Sequence, residues 1–186
     1  MPGFAVGGAL FGLALAGRAP GVWWAVLAQA HGHAQLFGFA GLMVFGVGLY
    51  FLPRLRGAPL AAPHRIPWVL GLYGGGVLLR VLAQSLAPLL GAGPAGSVAL
   101  QTAFALSGPL SLAGATLGIG LLIRTHRQGP PLSARAGLLA VLPIMIASWV
   151  SLWLALAANA AGTLLAGMAG IAGMAGIAGM AGIAGM

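Results

Sequence analysis

The chain has 186 residues, 60% apolar and 4% charged, with a mean hydropathy of +1.05 and a formal net charge of +8. Soluble domains carry roughly a quarter charged residues, so eight arginines without Asp, Glu or Lys cannot cover a water-facing surface, and the chain reads as one all-α integral membrane bundle. The absence of cysteine and of carboxylate side chains excludes disulfides, iron–sulfur clusters, calcium sites and carboxylate acid–base catalysis.

A membrane-crossing helix needs about 20 mostly apolar residues, and that length predicts five transmembrane helices, at about residues 2–17, 22–52, 66–90, 97–123 and 136–160. The first ends at Arg18-Ala19-Pro20-Gly21 and lacks the basic leader of a signal peptide, so it is expected to stay in the mature chain. The second carries His31 and His33 near its start and ends at Pro53. Ala30, Ala34 and Gly38 form a small-residue stripe on it, of the kind that lets helix backbones approach. The third contains Arg80, well inside an apolar run. The fourth contains Gly114 and Gly118 as a GxxxG pair, and Pro109, which is expected to kink it. The fifth contains Pro143 and the pair Trp149 and Trp153, spaced as a packing stripe.

Residues 161–186 form an apolar low-complexity tail in which Gly-Met-Ala-Gly-Ile-Ala repeats from Gly167. Three residues advance a helix by about 300°, so these glycines are expected to walk around the axis without making one packing face. Three readings stand for the tail: an extension of the fifth helix, a weak sixth span, or an artefact of a misassigned gene end.

The arginines orient the bundle. Arg54, Arg56 and Arg65 lie in one loop and Arg124, Arg127 and Arg135 in another, while the alternate loops carry only Arg18. The positive-inside rule places the two basic loops and the N-terminus in the cytoplasm of a bacterial-type inner membrane, and His31 and His33 near the outer face. Trp23 and Trp24 fit the aromatic belt there. The arginines are scattered over loops without a basic aromatic patch, so nucleic acid is not an expected partner, and the lipid bilayer is.

Imidazole is the side chain here that both ligates metal or haem iron and titrates near neutral pH. Two of them in a membrane helix are costly unless they have a partner. Residues i and i+2 of a helix stand about 200° apart, so His31 and His33 cannot chelate one ion from a regular helix. The face of His33 continues through Phe37, Ala40 or Gly41, Val44 and Gly48, and that of His31 through Gln35, Gly38, Leu42 and Phe45. Interfacial histidines bonded to lipid or water are the alternative. Arg80 likewise has two readings: a residue that snorkels to the interface, or one that holds an anion because the chain offers no acid. Gln84, Gln101, Ser107, Ser111, Thr116 and Asn159 are expected to hydrogen-bond between helices. His64 and His126 stand among arginines at the opposite end, about 30 Å from His33 along a helix, and suit phosphate headgroups or plain topology.

The block from His31 to Arg54, HGHAQLFGFAGLMVFGVGLYFLPR, resembles the second-helix signature of the NnrS family of haem- and copper-containing bacterial membrane proteins, which are linked to nitric oxide response and distantly similar to haem–copper oxidase subunit I. Gly71-Leu72 and Arg80 in the next helix also look similar, and the likeness covers residues 22–85. It implies b-type haem held at His31 or His33, with copper as a second metal for the same histidines, in a role in redox, nitric oxide response or haem handling; the anion at Arg80 would then be a haem propionate or another small anion. It also implies a redox partner or homo-oligomer. The chain departs from the family in having Ala34-Gln35 where members place Glu after the second His, and in being about half as long, so it reads as a shortened member. The competing class is a cofactor-free small-solute transporter or accessory membrane subunit.

Overall fold

The computed structural model describes the backbone of residues 22–90, 94–130 and 136–184, and these are helical throughout apart from short connections. The predicted first helix and Arg18, the side chains of Trp23 and Trp24, and Arg135 lie outside the described residues. Helix α1 (Val22–His33) passes without a break through a π-helical segment (Ala34–Ala40) into α2 (Gly41–Arg56). A short 3-10 turn (Pro63–Arg65) leads into α3 (Ile66–Leu90), followed by α4 (Pro94–Gln128) and α5 (Ala136–Ala184). Among the described residues, four stretches are long and apolar enough to cross a membrane: Val26–Arg56, Pro63–Ala87, Gly96–Gln128 and Val141–Gly170.

The helices pack through glycine. A Cβ at Gly114 would run into the backbone of Tyr73, and one at Gly118 into Phe45 and Val69, so the GxxxG pair of α4 is where α3 and α2 approach it. Gly76 faces Ser107 and Ser111 across the α3–α4 seam, and Gly108 faces Ala160 and Thr163 across the α4–α5 seam. Between these seams Phe45, Leu52, Tyr73, Leu122, Trp149 and Leu156 form a buried core. Trp149 lies over Gly48, whereas Trp153 donates its indole N–H to Thr116 Oγ1 at 2.9 Å. The Trp pair is therefore a packing stripe with one polar tie to α4.

The start of the C-terminal repeat corrects one expectation. Gly167 packs on Ala105 and Gly170 on Gln101, so the first two repeat glycines do share a face against α4. A step of three residues falls only about 60° short of a full turn, so two consecutive glycines stay on one seam. α5 continues as helix through the repeat to Ala184.

The loop after α2 is fixed by its caps. Gly57 adopts the left-handed conformation (φ 62°). Its N–H bonds Arg54 O at 3.2 Å and the Ala58 N–H bonds Pro53 O at 3.0 Å, a pairing that closes the helix end. Ala61 N–H then bonds Thr125 Oγ1 at 3.0 Å, which ties the loop to the end of α4. This brings Arg54, Arg56, Arg65, Arg124 and Arg127 to one end of the bundle.

Candidate functional site

Helix α3 runs antiparallel to the α1–α2 helix, and the pairings fix its level. Gln84 Nε2 donates to Gln29 Oε1 at 3.4 Å, Gly38 lies against Val77, and Tyr73 donates to the Phe37 carbonyl at 2.7 Å. His33 and Arg80 fall at one level between these contacts. From α4, Phe104 places its ring 3.8 Å from Arg80 Cζ, a cation–π contact. The sequence candidates His33 and Arg80 are thus brought together at the end of the bundle opposite the basic loops.

Arg80 is turned into the bundle. Its Nε and Nη1 are buried and have no hydrogen-bond partner among the described residues. A buried donor left unmade costs about 1–3 kcal/mol, more when charged. Three more polar atoms in the neighbouring turns are buried and unpartnered: His31 Nδ1, Gln84 Oε1 and Gln101 Oε1. Gln101 projects over Gly170 of α5. The cluster offers two guanidinium donors, amide carbonyls and two imidazoles, without any side chain carrying negative charge.

His33 is partly buried, its ring 4.8 Å from that of Phe37, whereas Gly32 beside it is exposed, with open space where a side chain would stand. His31 is also partly buried but is not brought to Arg80 by any contact. The buried stripe below them runs Ala30, Phe37, Gly41, Phe45, Gly48, Leu52. Phe45, expected on the face of His31, is therefore on the bundle side, and Val44, expected with His33, is only half-buried.

A π-helical segment separates the histidines from Phe45. At Gly41 the N–H reaches back to Leu36 O, five residues away, which widens the helix locally. The Phe37 carbonyl loses its usual partner and accepts the Tyr73 hydroxyl instead. π-Helical turns recur at functional sites, and this one begins at the residue after His33.

Sequence reasoning missed three parts of the cluster: the π segment, Phe104 and Gln29. Gln29 was open to detection, since it stands four residues before His33 on the same helical face. His64 and His126 belong to the other end, where Arg56 Nε donates to the His126 carbonyl at 3.0 Å. Among the described residues no group of three or more His, Cys, Asp or Glu side chains is placed to hold a metal ion. No family model, curated protein or solved structure matches the chain.

Proposed function

We propose that the protein is a multi-pass membrane protein that binds b-type haem at the histidine end of the bundle, with a role in redox, nitric oxide response or haem handling. The observation that carries the proposal is the pair of buried, unpartnered Arg80 donors at the level of His33 in a chain without acids. Such donors call for an anion, and single charge-assisted N–H bonds from a guanidinium suit a carboxylate oxygen. A haem presents both groups that this site would answer: iron for imidazole and propionate for guanidinium. When bound, haem supplies one-electron chemistry, tuned by its axial ligand and by its surroundings.

In this reading His33 would hold the haem iron and Arg80 a propionate. Phe104 holds the guanidinium from its other side, and the open flank at Gly32 leaves room for a flat ring. His31, on a different helical face, serves as the alternative ligand. Copper is a weaker proposal, because a third protein ligand would have to come from a second subunit or a partner. The arginine count supports an inner-membrane placement with the N-terminus and basic loops in the cytoplasm and this site at the outer face.

A reduced-minus-oxidised optical spectrum of the detergent-purified protein, expressed with haem supplied, tests the reading. A Soret band is expected, lost in His33→Ala and retained in His64→Ala and His126→Ala. Loss in His31→Ala with retention in His33→Ala would move the ligand to the other face. Absence of any haem, together with binding of a small carboxylate that depends on Arg80, would overturn the proposal in favour of the cofactor-free transporter.

A further inference from the structure

At the basic end of the bundle, on a different face from the histidine cluster, a groove of about 660 Å³ runs between α4 and α5. Its floor is small on the α4 side, at Ala113 and Gly120, and its wall on α5 is Ala160 and Leu164. Pro109 closes one end. Arg65, just before α3, and Arg124 on α4 stand at the other end. From Pro109 to Arg124 the α4 face spans about 22 Å at 1.5 Å per residue, more than one leaflet of a hydrocarbon core about 30 Å thick.

The one polar side chain along the groove wall is satisfied. Thr116 Oγ1 donates to Leu112 O at 2.8 Å and accepts the Trp153 indole N–H at 2.9 Å. The groove therefore presents an apolar furrow that ends in two exposed guanidinium groups, in a chain that has no acidic side chain to neutralise them. We propose that this groove is a binding site for an anionic phospholipid, its acyl chain lying along α4 and its phosphate held between Arg65 and Arg124. Arginine grips phosphate oxygens through paired N–H bonds, and basic residues at the membrane surface attract anionic headgroups. The site is independent of the haem reading.

Native mass spectrometry of the detergent-solubilised protein, titrated with phosphatidylglycerol or phosphatidylcholine, tests the proposal. Phosphatidylglycerol is expected to bind in preference to phosphatidylcholine. Replacing both guanidinium groups (Arg65→Gln with Arg124→Gln) should weaken it by roughly a hundredfold or more, the scale of two charge-assisted bonds to one phosphate. The paired control Arg54→Gln with Arg127→Gln removes the same charge from the same end but outside the groove, and should weaken binding at least several-fold less, since only diffuse attraction is lost. Gly120→Leu fills the furrow; a Cβ there meets nothing within 4 Å, so the fold should tolerate it. Lipid binding should fall with the arginines intact. Equal losses in both arginine pairs, unaltered binding in Gly120→Leu, or equal binding of the two lipids would overturn the proposal.

Discussion

Arginine in this chain must find electron density without carboxylates, and each described case does so differently. Arg54 donates to the Tyr50 carbonyl at 2.7 Å while its Cζ lies 3.6 Å from the centre of the Tyr50 ring. Arg56, 4% exposed, donates its Nε to the His126 carbonyl at the C-terminal end of α4, where the helix dipole is negative, and leaves one buried donor, Nη1, without a partner among the described residues. Arg80 has the Phe104 ring but leaves two donors unused. That difference makes Arg80→Lys informative, because lysine keeps the charge and loses the planar fork. If Arg80 clamps a propionate, haem retention should weaken by roughly tenfold or more, the scale of one charge-assisted hydrogen bond, or the midpoint potential should move. The thermal unfolding profile should stay close to that of the parent. Unchanged haem content and potential in both Arg80→Lys and Arg80→Gln would make the residue a packing cation only.

At the scale of elements, the π segment and Tyr73 form one device. The wider turn frees the Phe37 carbonyl, the Tyr73 hydroxyl occupies it, and Gly41 gives that hydroxyl room: a Cβ at 41 would collide with the phenol. Tyr73→Phe should destabilise the protein by about 1 kcal/mol, the net worth of the hydrogen bond. Gly41→Ala should cost about 1–3 kcal/mol by overpacking. The double variant should be less destabilised than the sum, because removing the hydroxyl also removes most of the collision. Strict additivity in reversible unfolding in mixed micelles would show that the two residues act separately. The tie also matters to the site, since it locks the turn that begins beside His33 against the helix that carries Arg80.

For the whole molecule, the arginine distribution makes a topological prediction. A reporter fused after Gly57 should read the cytoplasm, and one placed in the connection between α3 and α4 should read the opposite side. Both reading one compartment would remove the alternating arrangement from which the outer-face position of the histidines follows. The helices that carry this topology were legible in the sequence because membrane length and composition are local properties. The span at 66–90 coincides with α3, the long apolar run from 22 passes through α2 and ends four residues past the expected boundary, and the helix at 97–123 lengthens at both ends. Hydropathy carries no signal for the last polar turn of α4, which stays helical because Thr125 and the His126 carbonyl are engaged by the loop and by Arg56. The sequence by itself determined the membrane character of this protein, its helical class, the Gly114–Gly118 pair where helices meet, and the absence of acidic side chains, because each depends on composition or spacing along one helix. The tertiary structure alone decided that His33 and Arg80 stand at one level of the bundle, that Phe104 covers the Arg80 guanidinium, that Gln84 meets Gln29, and that Arg65 joins Arg124 at one groove. These depend on the register between helices, and no periodicity within a single segment records it.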